Sequence, residues 1–237
     1  MIKYLSLFIC VFIFVSCSPS EQELFDAGVE NLESGNHSKA VEYFDRAIEK
    51  NPENTSAHNA KGVAYFNMEQ YDEAIASFNA SIAVDSASYK PFYNRGNAYL
   101  EKEEYVKALQ DYNYASSLDP GVIDIYYNRG VTLLAMEEFE DAILDFEMTL
   151  QANPEHGQAF FYKGKAEMEN NQPLEAIESL SRAVKIDTRN GAAFYLLGIT
   201  QLSALAMKDE GCRNLQSALQ LGFTEAKEWI EEFCGEE

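Results

Sequence analysis

Histidine, cysteine and carboxylate are the side chains here that could do chemistry, and their spacing argues against it. His37, His58 and His156 stand too far apart in sequence for any two to share metal-ligand spacing on one helix. The cysteines Cys10, Cys17, Cys212 and Cys234 form no Cys-x-x-Cys, and neither a glycine-rich phosphate loop nor a nucleophile elbow is present. Carboxylates are plentiful, 39 against 18 basic side chains. Many of them, such as Asp72-Glu73, Glu103-Glu104, Glu137-Glu138 and Asp141, stand where helices are expected to begin, and acids there complement the helix dipole. The formal charge of −21 would repel nucleic acid, whose binding depends on Lys and Arg displacing counterions. The expectation is no enzyme, no cofactor, no metal and no nucleic-acid partner. At 46% apolar and 13% aromatic, the chain can still build a large core.

The side chains that suit recognition are rings and amides, and they lie on a strict period. Gly28, Gly62, Gly96, Gly130, Gly164 and Gly198 follow one another at steps of 34 residues. Ala40, Ala74, Ala108, Ala142 and Ala176 keep the step, as do the large residues Phe44, Phe78, Tyr112, Phe146 and Leu180. Pro52, Pro120 and Pro154 close three of the units, because proline cannot continue a helix and biases the residue before it out of helix. Each unit is expected to be two antiparallel helices, with the glycine and the alanine letting their backbones approach closely.

This period and residue set resemble the tetratricopeptide repeat over about residues 21 to 224. The third unit matches at every signature position: Phe92, Gly96, Tyr99, Ala108, Tyr112, Ala115 and Pro120. The resemblance implies an all-α chain folded as a right-handed α-solenoid of six helix-turn-helix units, at 21–54, 55–88, 89–122, 123–156, 157–190 and 191–224. The sixth unit needs one extra residue in its turn to bring Gly211, Leu215 and Ala218 into register. Residues 225–237 then supply a capping helix around Trp229, which covers the last stacking face.

In such arrays the first helix of each unit lines the concave face, chiefly through positions 2, 5, 6, 9 and 12. Position 5 here reads Phe25, Asn59, Tyr93, Tyr127, Phe161 and Tyr195; Asn94 and Asn128 follow at position 6, and Asn97 at position 9. The paired asparagines resemble the amide ladder in the superhelix of O-linked N-acetylglucosamine transferase. Rings bury apolar side chains and amides pair with backbone groups, so Tyr93, Asn94, Asn97, Tyr127, Asn128, Phe161 and Tyr195 are the candidate partner-binding residues for a peptide or docked helix. The competing reading is that these rings pack between helices and complete the core. The carboxylate clamp of cochaperone repeat domains is not supported, since Phe25, Val29, Ala60 and Lys90 stand where it needs other residues.

Two further expectations concern the ends. Lys3 followed by the apolar run Leu7 to Val15 is a short leader, and the break at Ser16-Cys17 resembles a bacterial lipobox, with Phe14 departing from the usual leucine. This implies removal of 1–16, lipidation of Cys17, a short tether at 17–20, and a protein held in the bacterial envelope, at the outer membrane, by its lipid alone. The alternative is an ordinary secretory signal with a chance cysteine. Cys212 and Cys234 lie eleven residues either side of a turn centred near Phe223, which places them at one height of an antiparallel hairpin. They are expected to form a disulfide that pins the capping helix; the competing reading is two buried thiols. The function expected is a non-enzymatic scaffold for another envelope protein, or more narrowly an assembly lipoprotein for an outer-membrane or secretion machine.

Overall fold

The computed structural model describes residues 18–235. The leader, the expected tether residue Cys17 and the terminal Glu236 and Glu237 lie outside the described residues. Thirteen helices and no strands occur among those described. They run as hairpins: α1 (Glu21–Glu33) with α2 (His37–Lys50), α3 (Thr55–Phe66) with α4 (Tyr71–Val84), and α5 (Tyr89–Glu101) with α6 (Tyr105–Leu118). The next three are α7 (Ile123–Ala135) with α8 (Phe139–Ala152), α9 (Gly157–Glu169) with α10 (Pro173–Ile186), and α11 (Gly191–Leu205) with α12 (Lys208–Gln220). The short α13 (Ala226–Phe233) closes the series. Every helix packs on the next, and α1, α3, α5, α7, α9 and α11 also touch in succession, so one face is made of first helices. No helix among the described residues is long and apolar enough to cross a membrane.

Local chemistry sets the helix starts. Ser20 caps α1 in a reciprocal box with Glu23, its hydroxyl accepting from the Glu23 N–H and its own N–H donating to the Glu23 carboxylate at 2.7 Å. Asn54 and Asn190 accept from the N–H groups of Ala57 and Ala193 in the same role. His156 does so too, its Nδ1 accepting from Ala159 N–H at 3.1 Å, which gives that histidine a structural task. Glu103 and Glu137 do not open α6 and α8 as expected from their acidity. With Glu69 they sit in the preceding turns at φ of 58°, 64° and 59°, a left-handed conformation that Gly35 takes at the same repeat position.

The periodic glycines serve a purpose somewhat different from the expected meeting of backbones. A β-carbon on Gly62 would stand 2.4 Å from the Phe78 ring, and one on Gly28 2.5 Å from Phe44. Each first helix leaves a hole, and the large residue of the second helix fills it. Phe44, Phe78, Tyr112, Phe146 and Leu180 are all fully buried there. Backbones also come close in the fifth and sixth units: a β-carbon on Gly164 would stand 3.2 Å from the Leu180 nitrogen, and one on Gly198 or Gly211 2.9 Å from the other's carbonyl oxygen. The extra residue of that unit is absorbed by a longer α11 and by Ala206 at φ 52°.

A second set of periodic residues staples the units. Arg95 holds Asp111 through two N–H groups at 2.8 and 2.6 Å, and Arg129 holds Asp145 in the same way at 2.7 Å each. Each guanidinium also reaches back into the preceding unit, to Asn79 and to Asn113 respectively. Lys61 to Asp45 at 2.6 Å and Lys163 to Glu147 at 3.1 Å repeat the backward link in neighbouring units. Burial pushes the Asp145 carboxyl above its ordinary range while the guanidinium opposes that shift, and the same contact raises Arg129. Paired hydrogen bonds of this kind are the strong ones, and here they join three helices at once.

Cys212 of α12 and Cys234 just past α13 are joined as a disulfide, with Cα atoms 5.7 Å apart and a sequence separation of 22. The bridge closes the last hairpin over a cluster of Leu215, Ala218, Ala226, Trp229 and Ile230. A terminal unit has one neighbour and frays first, so the constraint falls where it matters most. Reduction, or Cys212→Ser with Cys234→Ser, is expected to cost about 3 kcal/mol by loop-closure entropy. Denaturant unfolding of oxidised and reduced protein checks this; equal midpoints would show that the bridge adds no stability.

Candidate functional site

The first helices bring the predicted amides into hydrogen-bonded contact along the middle of the solenoid. Asn94 of α5 donates from Nδ2 to Asn59 Oδ1 of α3 at 3.0 Å. Asn128 of α7 donates to Asn97 Oδ1 and to the Tyr93 hydroxyl of α5, both at 3.0 Å. Tyr112, fully buried in α6, donates its hydroxyl to the same Asn97 oxygen at 2.8 Å. The ladder therefore spans α3 to α7 and is anchored in the core by a tyrosine that the repeat needs for packing anyway.

This internal bonding leaves complementary groups unused. Among the described residues, Asn94 Oδ1 and Asn128 Oδ1 remain as acceptors without a protein partner and Asn59 Nδ2 as a donor, while Asn97 is also engaged with Tyr93. All four side chains are half-buried, and Asn59, Asn94 and Asn128 are each held by one end and present the other. Free donors and acceptors side by side along a groove are what an extended backbone requires. The groove continues toward the N-terminal end as a cavity of about 260 Å³ lined by Phe25, Asn59, Ala60, Asp85 and Lys90.

The rings divide into two groups. Tyr93 packs against Tyr112 at a centroid distance of 6.1 Å while its hydroxyl belongs to the ladder, and its partial burial raises its pKa. Tyr127 lies among Phe146, His156 and Tyr162 at 6.3, 4.9 and 6.1 Å, and burial pushes its hydroxyl up to about 12. Phe161 rests on Tyr162 at 5.1 Å, and Tyr195 on Phe223 at 4.7 Å within the C-terminal cluster. Neither Phe161 nor Tyr195 joins the amide network. Tyr127 and Tyr195 thus pack partly into the core, while the neighbour of Phe161 is the next residue of its own helix α9. Sequence reasoning missed the part of Tyr112 in the ladder and the Arg95 and Arg129 staples. Lys61, Arg95, Arg129 and Lys163 keep the step of 34, so that signal was present.

Among the described residues no three of His, Cys, Asp and Glu gather to hold a metal ion. What the geometry defines is a helical-hairpin solenoid with an amide-lined inner face. The sequence matches the family profile for the tetratricopeptide repeat over residues 25–91 and 127–203, and one for the TPR repeat over residues 96–137. The chain belongs to the tetratricopeptide repeat family. No curated protein matches it in sequence. Several solved structures share the fold. PilF of Pseudomonas aeruginosa is 21% identical with a TM-score of 0.76, over 90% of this chain and 97% of that one. YrrB, described as a TPR protein with an unusual peptide-binding site, is 22% identical with a TM-score of 0.69, over 76% of this chain and 93% of its own. MamA of Desulfovibrio magneticus RS-1 is 18% identical with a TM-score of 0.66, over 72% and 96%. At these identities the likeness is one of fold.

Proposed function

We propose that this protein is a non-enzymatic interaction scaffold that holds an extended segment of a partner protein against α3, α5 and α7. The observation that carries the reading is the set of amide groups left unpaired on Asn59, Asn94 and Asn128. Tyr93 supplies an apolar surface beside them, and fixed amides bind without the entropy cost of ordering side chains. The peptide-binding site attributed to YrrB, a protein of the same fold, is consistent with this use of the inner face. Asn94→Ala with Asn128→Ala is expected to weaken partner capture at least about tenfold, since truncated hot spots commonly cost 2 kcal/mol or more. The changes Val106→Ser and Leu144→Ser, at side chains 60% and 58% exposed on second helices, should leave capture intact. The opposite pattern in a quantitative pull-down would move the binding face to the outside of the solenoid.

The same proposal places the scaffold in the bacterial envelope, tethered by lipid on Cys17. Support comes from the Lys3 and Leu7–Val15 leader pattern, and from a disulfide that suits an oxidising compartment. Cys17→Ser is expected to abolish labelling by radioactive palmitate and release the protein into the soluble fraction. Normal labelling of that variant would remove the anchor from the proposal.

A further inference from the structure

A cleft of about 500 Å³ opens at the C-terminal end of the solenoid, lined by Leu202, Ser203, Ala206, Lys208, Trp229 and Phe233. That volume falls in the range of ligand-binding clefts, roughly 300–1,000 Å³. Its walls are mostly carbon. Trp229 and Phe233 stack at a centroid distance of 5.2 Å, and Phe233 is 41% exposed although it is a large apolar ring. Leu202 and Trp229 extend the buried cluster around Leu215 and Ala218, so the floor belongs to the core. The disulfide fixes Cys234, the residue after Phe233, to α12, which holds the aromatic wall in place without any occupant.

The charge of the α12–α13 segment that carries much of this cleft states what it would accept. Between Lys208 and Gly235 the chain carries six carboxylates against three basic side chains. Glu225, Glu228 and Glu232 on the α13 side and Asp209 at the start of α12 are exposed, and Lys227 is already paired with Glu231 at 3.7 Å. Among the described residues of the lining, Lys208 is the one basic side chain. We infer that the Trp229–Phe233 cleft docks an amphipathic helix of a partner protein whose apolar stripe is flanked by Lys or Arg. The stacked rings take its large apolar side chains, and the exposed carboxylates of the α12–α13 segment take its basic flanks. A second copy of this chain fits poorly, because it would bring the same acidic α13 and a formal charge of −21 to an acidic rim. The cleft is separate from the amide ladder, and neither depends on the other.

Trp229 is the only tryptophan of the chain, so its emission reports this site alone. The full chain in mild detergent is titrated with an amphipathic peptide of about eighteen residues built from Leu and Lys, and with its counterpart carrying Glu for Lys. A saturable change in Trp229 emission is expected with the Leu/Lys peptide and not with the Leu/Glu peptide. Phe233→Ser, which leaves the charge unchanged, is expected to weaken the apparent affinity at least about tenfold, as loss of an aromatic anchor does. Asn94→Ala with Asn128→Ala should leave it as it was, which keeps this test apart from that of the inner groove. Equal affinity in Phe233→Ser would mean attraction by surface charge alone and would overturn the inference. So would equal binding of the Leu/Glu peptide, or an emission change that follows protein concentration without peptide and sediments as a dimer.

Discussion

Replacing Arg129 by Met is expected to destabilise the protein by about 3–5 kcal/mol, the cost of leaving a buried charge without its partner. Asp145 is only 6% exposed as a side chain and receives both of its guanidinium bonds from this one residue. Arg129 also reaches Asn113 and Ser116 of the preceding unit, so its loss weakens the joint between units as well as the hairpin. The double change Arg129→Met with Asp145→Leu should recover most of the loss, because apolar replacement of a buried pair is often neutral. Lys61→Met is the contrast. Its partner Asp45 is 46% exposed, and an ion pair so open to water is worth about 1 kcal/mol or less. Urea unfolding of the variants measures all three. A double variant no more stable than Arg129→Met would show that the staple acts through its hydrogen bonds to Asn113 and Ser116 rather than through the buried charge.

Phe78→Ala should be as damaging, at about 3–5 kcal/mol, since the ring is fully buried and its removal leaves a cavity that the helices cannot close. The Gly62 backbone lies where a β-carbon would stand 2.4 Å from that ring, so Gly62→Ala alone is expected to cost about 1–3 kcal/mol by overpacking. Alanine's better helix propensity returns about 1 kcal/mol of this. Combined, the two changes should cost less than their sum, because the new methyl enters the space that the ring vacates. A double-mutant cycle reads the coupling directly. Strict additivity would mean that the glycine and the ring do not compete for one volume, contrary to the packing described for every unit.

The architecture was legible because it is written six times. A step of 34 fixed by Gly28 to Gly198 leaves little choice of register, and the first helices begin at Glu21, Thr55, Tyr89, Ile123, Gly157 and Gly191. Cys212 and Cys234 were paired from their equal distance to one turn, since a hairpin converts sequence distance into height. The site was legible only in part. Position in a repeat says which face a residue is on, but not whether a neighbour already occupies it. Tyr127 and Tyr195 read as part of a groove row, yet Tyr162 and Phe223 reach them from the following segments and share them with the core. The staples were missed for the opposite reason. Arg95 and Arg129 sit between the noticed asparagine and glycine of each Tyr-Asn-Arg-Gly tetrad, and their partners lie 16 residues away on another helix. Glu69, Glu103 and Glu137 show a third limit, because the paired backbone bonds that cap each first helix hold them in a left-handed conformation that their residue type does not favour.

Site-specific photocrosslinking in living cells tests most directly whether the inner amide face is the recognition surface. A photoreactive amino acid is placed at Asn59 or Asn94 on the ladder, or at Val106 or Leu144 on the exposed second helices. Illumination is expected to give a discrete adduct of higher mass from Asn59 and Asn94, lost when Asn128→Ala is added, and none from Val106 or Leu144. Adducts from Val106 and Leu144 alone, with Asn59 and Asn94 silent, would contradict the assignment of the inner face.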